Sequence, residues 1–358
     1  MNILFISREG QSLGLALRCQ EEGFPTSFYV EEREAAFVGN GIVTKPLFNK
    51  QLLSQNGDYI LSSLNQLVAE VKPDLIIVEG KGMGRISDYL REEKYNVFGG
   101  SYWSDTLSSS LSYGREVMKR VGIKEWKGEE GVRVEVGVWW NGMQMLSNYM
   151  VWNEERFMND SLGCKIDSSS HITKVIGSDS YMVREGIGRV EKLLKKSRFR
   201  GILSLSCIVS EKQIYGVVFQ SSFTFLPSLL ELYKGSVTQL LLGVASMQKM
   251  EGMFSGDISL SLLLSIPPFP TPHTGTSMEV KGINKYNLPH LYLNDMMKEG
   301  EEWYSGGRDG KLCMVCARGR EIGECKKRVM KTISNLNIED VQYRTDFTTR
   351  FLKQQKSV

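Results

Sequence analysis

The chain has 358 residues, of which 41% are hydrophobic and 24% are charged, and its formal net charge is +3. This length predicts two to three structural units with a large buried core. A charge excess this small, without a long basic run, gives no support for a nucleic-acid or membrane-binding surface. The six cysteines do not suggest a disulfide framework, and neither a signal-peptide pattern nor an apolar run of membrane-spanning length is present. We therefore expect a cytoplasmic protein.

The first part of the chain alternates between apolar runs and segments with helical spacing. Apolar runs lie at residues 2–7 and 75–78, residues 27–31 alternate like a second strand, and residues 96–100 are predicted to form a short strand and turn. The helical segments lie at residues 10–22, 59–71 and 84–92. Continuous apolar runs that alternate with helices are typical of a parallel sheet covered on both faces. Residues 1–105 are therefore predicted to form a doubly wound α/β domain.

The central part, residues 106–270, contains two predicted β-hairpins. Residues 134–140 and 143–146 flank Asn141-Gly142, a dipeptide that is favoured in two-residue hairpin turns. Residues 202–209 and 214–219 flank the second turn. Helices are predicted at residues 104–122, 183–196 and 226–248, and a Pro-rich stretch at residues 266–272 closes this unit.

The C-terminal part, residues 271–358, is predicted to form a small mixed α/β unit. It contains a Gly-rich turn at residues 305–310, an apolar run at residues 312–316 and an amphipathic helix at residues 322–336. Cys313 and Cys316 lie in the apolar run, which we interpret as a buried strand. Because no second cysteine pair or histidine pair accompanies them, no metal site is predicted.

Seven short segments together carry a resemblance to a known family. They are KPDLIIV at 72–78, VFGGS at 97–101, VMKRVGI at 117–123, EVGVWWNG at 135–142, RFMNDSLG at 156–163, SGGRDG at 305–310 and QYRTD at 342–346. In this order, over about residues 1–348, the chain resembles the glycinamide ribonucleotide synthetase (phosphoribosylamine–glycine ligase) family of the ATP-grasp superfamily. The resemblance implies an N-terminal pre-ATP-grasp domain, an ATP-grasp core and a small mixed C-terminal domain.

The resemblance also implies an activity, in which ATP drives the joining of phosphoribosylamine to glycine through an acyl phosphate. Two divalent cations must then neutralise the triphosphate, which requires carboxylate and amide oxygens on core strands. The family has a Glu, an apolar residue and an Asn on one strand, and an Asp and an Asn on the strand before it. This chain has, in that order, Val218, Phe219, Gln220, Ser204 and Ser206. No magnesium site is therefore expected at these strands.

A mobile lid that shields the acyl phosphate from water is a further implication of the resemblance. In this family the lid would lie between Ile123 and Val134. Ten residues separate these two positions, which is the length of a loop. We therefore predict a truncated ATP-grasp core without the lid subdomain.

Glycine-rich turns after the predicted strands provide the candidate ligand-binding residues. Backbone N–H groups at such turns, and at the helix N-termini that follow them, can bind anions. The candidates in the first domain are Ser7, Arg8, Glu9, Gly10, Gly80, Lys81, Gly82, Gly99, Gly100 and Ser101. Arg8 and Lys81 would supply positive charge, whereas Glu9 would oppose an anion. The candidates for a second cleft are Gly306, Gly307, Arg308 and Asp309.

These observations leave three hypotheses open. In the first, the chain is catalytically degenerate, needs no cofactor, and binds a small phosphorylated or nucleotide-like ligand or a protein partner. In the second, it is an active but divergent ATP-dependent carboxylate–amine ligase, which would need ATP and Mg²⁺. In the third, it is a structural or assembly protein that uses the fold as a surface.

Overall fold

The computed structural model describes residues 1–54, 56–210, 213–250, 254–271 and 277–355. The first domain contains a parallel sheet in the order β2-β1-β3-β4. Its strands are β1 (Ile3–Ser7), β2 (Thr26–Val30), β3 (Leu75–Glu79) and β4 (Val97–Gly99). Its helices are α1 (Leu13–Glu21), α2 (Leu61–Val71) and α3 (Gly84–Glu92). The predicted doubly wound architecture is confirmed.

Both faces of this parallel sheet are buried. On β1, Ile3 and Phe5 belong to a large hydrophobic cluster, whereas Leu4 and Ile6 belong to a smaller cluster on the opposite face. The large cluster continues into the central and C-terminal parts of the molecule. Because neither face of the strands is left to solvent, these strands appear in the sequence as continuous apolar runs rather than as alternating patterns.

The segment predicted as one helix at residues 104–122 forms two helices, α4 (Tyr102–Ser109) and α5 (Leu111–Val121). Ser110 separates them with an extended backbone (φ −103°, ψ 101°). Its side chain accepts a hydrogen bond from the N–H group of Tyr113 in the first turn of α5. A serine that caps a helix in this way starts a new helix, and helical spacing alone does not reveal the break.

The central strands are β5 (Lys124–Glu125), β6 (Val132–Trp140), β7 (Met145–Arg156), β8 (Lys165–Ile176), β9 (Gly201–Ser210), β10 (Gln213–Gln220) and β11 (Ile258–Leu264). Both predicted hairpins are confirmed, since β6 pairs antiparallel with β7 and β9 pairs antiparallel with β10. Residues 211 and 212 of the second turn lie outside the described residues. The loop 126–131 connects β5 directly to β6, so no lid subdomain is inserted at this point, as predicted.

The helices between these strands are α6 (Tyr181–Glu185), α7 (Glu191–Leu194), α8 (Leu226–Leu232) and α9 (Val237–Ala245). The predictions of single helices at residues 183–196 and 226–248 are wrong. Gly186 ends α6 with φ −110° and ψ −116°, a conformation outside the helical region. Tyr233 ends α8 with an extended backbone that forms an isolated bridge with Phe254.

The C-terminal strands are β12 (Glu279–Lys281), β13 (Leu291–Leu293), β14 (Met296–Glu299), β15 (Glu302–Ser305), β16 (Cys313–Gly319) and β17 (Asn337–Ile338). The C-terminal helices are α10 (Ile322–Ser334) and α11 (Thr349–Gln354). In the described residues, β13 and β16 extend the central strands into a sheet of order β13-β16-β11-β8-β7-β6-β9-β10-β5. The other four strands form a small sheet of order β14-β15-β12-β17.

The large sheet runs across residue 270, so the domain boundary predicted there, like the boundary at residue 105, remains a prediction. Residue 272, at the end of the predicted Pro-rich stretch, lies outside the described residues. Among the helices that the structure describes, none is both long enough and apolar enough to cross a membrane.

Candidate functional site

A cavity of about 700 Å³ lies between the carboxyl ends of β3 and β4 and one face of β9 and β10. This is the edge at which open α/β sheets usually bind ligands. Six of the ten first-domain candidates line the cavity: Glu9, Gly80, Lys81, Gly82, Gly99 and Gly100. Ser7, Arg8, Gly10 and Ser101 lie behind this lining, and the turn at residues 306–309 does not reach it.

The loop after β1 is held together by Ser7. The hydroxyl of Ser7 accepts a hydrogen bond from the Gly10 N–H group at 2.8 Å and donates one to the carboxylate of Glu79. Gly10 has φ +89°, and a Cβ atom there would lie 2.7 Å from Cγ1 of Val38, so both conformation and space require glycine. The N–H group of Gly10 therefore has an internal partner and is not free for a phosphate.

Arg8 connects the loop after β1 to the loop after β3. Its Nη1 donates to the carbonyl oxygen of Lys81 at 2.6 Å, and its Nε lies 3.3 Å from Glu32. The side chain of Lys81 is exposed and forms no ion pair with the described residues. Arg8 therefore has a structural role in this loop pair, whereas Lys81 is available to a ligand.

The two sites predicted separately meet at Arg308. Its guanidinium contacts Glu9 at 2.8 Å and Glu32 at 3.4 Å, and it also pairs with Asp309. Arg308 therefore ties the C-terminal turn to the first-domain loops, and its charge is neutralised by carboxylates of the chain itself.

The backbone N–H groups of the C-terminal turn are occupied by a carboxylate. Asp295 accepts hydrogen bonds from the N–H groups of Arg308 at 3.1 Å, Asp309 at 3.0 Å and Gly310 at 2.9 Å. Such a row of N–H groups is the kind of cradle that binds anions in proteins. Here Asp295 takes the place of an external anion.

The N-termini of α3 and α4 are also occupied. Asp105 accepts a hydrogen bond from the Gly84 N–H group at 2.7 Å, and Asp88 accepts one from the Tyr102 N–H group at 2.9 Å. Burial raises the pKa of Asp105 to about 6, although bonds from backbone N–H groups oppose this shift. Ser101 completes α4 with a capping box. Each of these two helices thus supplies the acceptor for an N–H group at the start of the other, so the N–H groups of Gly84 and Tyr102 are not free to bind a phosphate.

The glycines after β4 serve the backbone rather than a ligand. The N–H group of Gly99 donates to the carbonyl oxygen of Arg200 at 2.8 Å, which joins β4 to the start of β9. The carbonyl oxygens of Gly99 and Gly100 accept hydrogen bonds from the buried guanidinium of Arg91. Burial lowers the pKa of Arg91 to about 9.

The positions where the resemblance implies magnesium ligands are paired with one another on the adjacent strands β9 and β10. In the β9–β10 register, Gln220 pairs with Ser204 and Val218 pairs with Ser206. Val218 and Gln220 line the cavity, and Phe219 is fully buried. None of these side chains is a carboxylate. The described residues contain no group of three or more His, Cys, Asp or Glu side chains that could hold a metal ion, so the donor set does not fit Mg²⁺.

Sequence reasoning missed several acidic residues at this site. Glu79 ends β3 and lines the cavity, and Glu155 pairs with Arg133 at 3.2 Å and with Lys165 at 3.6 Å. Glu135 of β6 does not line the cavity but lies within electrostatic range of Arg133 and Glu155, and burial raises the pKa of its carboxyl group to about 8. The available signal was an acidic residue inside or directly at the end of an otherwise apolar strand.

No protein-family model matches the chain, and no curated protein matches it. Solved structures do match. Phosphoribosylamine–glycine ligase from Thermotoga maritima is 13% identical, with 97% of this chain and 100% of that chain covered and a TM-score of 0.70. The biotin carboxylase domain of a thermophilic 2-oxoglutarate carboxylase is 12% identical, with 99% of this chain and 98% of that chain covered and a TM-score of 0.67. The chain has the ATP-grasp fold.

A third ATP-grasp structure extends this likeness. Phosphoribosylglycinamide synthetase from Anaerococcus prevotii is 11% identical, with 94% of this chain and 98% of that chain covered and a TM-score of 0.59. At such identities the likeness shows the architecture, and the activity has to be argued from the residues of the site.

Proposed function

We propose that this chain is a catalytically degenerate ATP-grasp protein of the glycinamide ribonucleotide synthetase type, which binds a small ligand in its cleft without a metal ion. One observation carries the proposal. The positions of β9 and β10 that would hold magnesium are Ser204, Ser206, Val218 and Gln220, while a cavity of about 700 Å³ is present beside Val218 and Gln220. Serine hydroxyls, an amide and a valine cannot neutralise a triphosphate through divalent cations.

The direct link between β5 and β6 supports the same conclusion. An acyl phosphate must be protected from water, and ATP-grasp ligation would require a closing element above it. The loop 126–131 is too short to form that element. Hydrolysis would therefore compete with transfer to an amine in this cleft.

The cavity is large enough for a metabolite, because small-molecule sites typically occupy about 300–1,000 Å³. Its lining combines apolar side chains, such as Val218 and Phe223, with a set of polar groups. A phosphorylated or nucleotide-like ligand would find most backbone N–H cradles of the first domain already bonded to Ser7, Asp105 and Asp88. This occupancy favours a ligand that does not depend on a phosphate at these loops.

The test is calorimetry with Mg–ATP. We expect no binding tighter than millimolar and no release of ADP or AMP in the presence of amines and carboxylates. The matched control is the double variant Val218→Glu, Gln220→Asn, which restores the Glu–apolar–Asn order and should bind Mg²⁺ more tightly than the natural chain. Micromolar Mg–ATP binding by the natural chain would contradict the proposal and favour an active ligase.

Ligand binding itself is tested by thermal denaturation with a panel of metabolites, including ribose phosphates, nucleotides, amino acids and amines. A ligand at one hundred times its dissociation constant adds about 2.7 kcal/mol to the free energy of unfolding. Stabilisation by a compound without Mg²⁺ is the expected result. A chain that no compound stabilises, and that forms a stable oligomer or complex, would instead be a structural protein.

A further inference from the structure

Glu79 is a buried carboxylate that faces the cavity without a cation beside it. It ends β3, lines the cavity and is 7% exposed. Its Oε2 accepts a hydrogen bond from Ser7. In the described part of the chain, no hydrogen bond or ion pair reaches its Oε1. Buried carboxylates are usually paired or fully hydrogen-bonded. Because Glu79 lines the cavity and Ser7 reaches only its Oε2, its Oε1 can accept a hydrogen bond from a ligand.

Among the described residues, the charged groups around Glu79 do not donate to its Oε1. Glu9 lies in the next loop and repels its charge, whereas Lys311 and Arg308 attract it from the C-terminal part without touching it. Tyr292 of β13 also lies within electrostatic range, and burial holds the pKa of its hydroxyl well above the ordinary value. Burial is the largest influence on Glu79 and raises the pKa of its carboxyl group to about 7.

A second polar group in the same cavity lacks a partner. The helix α3 places Ser87 in the cavity lining, and its Oγ is buried without a hydrogen-bond partner among the described residues. The lining as a whole contains five carboxylates, Glu9, Glu79, Asp105, Glu155 and Asp167, and three cations, Lys81, Arg133 and Lys165. Two of these cations are already paired with Glu155, and Glu9 is paired with Arg308. Within the described residues, the lining groups without an ion pair are then three carboxylates, Glu79, Asp105 and Asp167, and one cation, Lys81, which favours positive charge in the cavity.

We propose that Glu79 binds the ammonium group of a small primary amine in the cavity, and that this ligand places no phosphate against the loops after β1 and β3. The inference rests on the proposed function, because it names the ligand class of the same cleft. It differs from the sequence expectation of a phosphorylated ligand, since the N–H groups of Gly10 and Gly84 at those loops already donate to internal acceptors.

Amine binding should depend on pH. The ammonium group pairs with the ionised carboxylate, so below pH 7 Glu79 must release its proton to the solvent when the alkylammonium ion binds. Alkylamines stay protonated well above neutral pH, so Glu79 is the group that titrates. The affinity should rise with pH up to about 7, by close to tenfold per unit well below that value, and then level off.

The first experiment compares matched pairs of probes by NMR titration. Ethanolamine is compared with ethylene glycol, and 1,4-diaminobutane with 1,4-butanediol, at pH 6 and pH 8. We expect each amine to bind at least tenfold more tightly than its diol at pH 8, and about tenfold more tightly at pH 8 than at pH 6. The most affected amide signals should be those of Gly80, Gly82 and Ser87.

The second experiment uses Glu79→Gln, which keeps the shape of the side chain and a hydrogen-bond acceptor for Ser7. This variant should lose both the preference for amines and the dependence on pH. Glu116→Gln is the matched control, because it makes the same substitution at an exposed residue of α5 that does not line the cavity, and it should change the amine affinity less than twofold. If Glu79→Gln does not fold, a carbon-detected NMR titration of the natural chain provides the readout, since ethanolamine should lower the pKa of Glu79.

The outcomes separate the two proposals. Equal binding of amines and diols, or an amine preference that survives in Glu79→Gln, overturns the inference and leaves ligand binding by the cleft intact. A Glu79 pKa that ethanolamine does not change also overturns it. Failure of every probe here, together with failure of the whole metabolite panel, overturns both proposals.

Discussion

Glu135 shows at the scale of one residue how burial alters acid–base behaviour in this protein. It lies in β6, opposite Ser206 of β9, and its Oε2 has no hydrogen-bond partner among the described residues. The ring of Tyr149 lies across Gly137, two residues further along β6, where a Cβ atom would be 2.1 Å from the ring. The carboxyl group is therefore enclosed by protein, which favours its neutral form.

This enclosure makes stability depend on pH. Burial raises the pKa of Glu135 from 4.5 to about 8, so the folded chain keeps a proton that the unfolded chain loses above pH 4.5. The free energy of unfolding therefore decreases as pH rises from about 4.5 towards 8. Glu79, whose pKa is raised to about 7, decreases it further between about pH 4.5 and pH 7. One such group changes the free energy of unfolding by about 1.4 kcal/mol per pH unit within its window.

The corresponding variant is Glu135→Gln, which keeps the size of the side chain but cannot ionise. We expect its free energy of unfolding, measured with urea between pH 5 and pH 8, to decline less steeply than that of the natural chain. At pH 8 the variant should be the more stable of the two. Parallel curves for the two proteins would show that Glu135 does not titrate in this range.

At the scale of elements, the loops after β1 and β3 behave as one unit, because Arg8 of the first loop donates to the backbone of Lys81 in the second. The two cations that the sequence suggested for one anion site therefore have different roles. Arg8 is partly enclosed and bonded to its neighbours, whereas the side chain of Lys81 is exposed and unpaired within the described residues.

Single variants distinguish these roles. Arg8→Ala should lower the free energy of unfolding by about 1 kcal/mol, because it removes one charged hydrogen bond and a partly exposed ion pair. Lys81→Ala should leave the melting temperature unchanged and should retain amine binding in the cleft. Chemical denaturation and the ethanolamine titration provide the two measurements. An unfolded Lys81→Ala variant, or one without amine binding, would show that Lys81 has a role that its exposed side chain does not indicate.

At the scale of the whole molecule, α1 links the first domain to the C-terminal part of the large sheet. Gly14 lies on the buried face of α1, where a Cβ atom would be 2.7 Å from the backbone nitrogen of Leu293 and 2.8 Å from the ring of Tyr292. The absence of a side chain lets the helix approach β13 closely. Because the contact is with backbone, the neighbouring strand cannot move aside without cost.

Gly14→Ala should therefore destabilise the protein by about 1–3 kcal/mol, the usual cost of overpacking a buried contact. Gly323→Ala in α10 is the matched control. A Cβ atom at Gly323 would meet no atom closer than 3.7 Å, so there the higher helix propensity of alanine should stabilise the protein by up to about 1 kcal/mol. Thermal unfolding of both variants checks the contrast, and equal effects would mean that α1 does not pack tightly against β13.

The sequence by itself determined the order of the elements in the first domain and the two central hairpins, because the relevant signals are local. Strands β8 and β11 of the large sheet were not predicted. Apolar runs predicted the strands of the first domain, and Asn141-Gly142 predicted the β6–β7 hairpin. The ten residues between Ile123 and Val134 were enough to predict the missing lid. The ends of helices could not be predicted as well, because single residues such as Ser110 and Gly186 interrupt a helix by their backbone conformation without changing the apolar spacing.

Only the tertiary structure decided which groups of the cleft are free. The glycine-rich loops suggested anion binding, but several N–H groups at these loops are bonded within the chain, such as that of Gly84 to Asp105, 21 residues away. Arg308 is neutralised in part by Glu32, 276 residues away, and Glu79 is bonded to Ser7, 72 residues away. Charge neutralisation depends on contacts between residues that are distant in sequence, so local patterns could locate the loops of the cleft but could not show the sign of charge that it accepts.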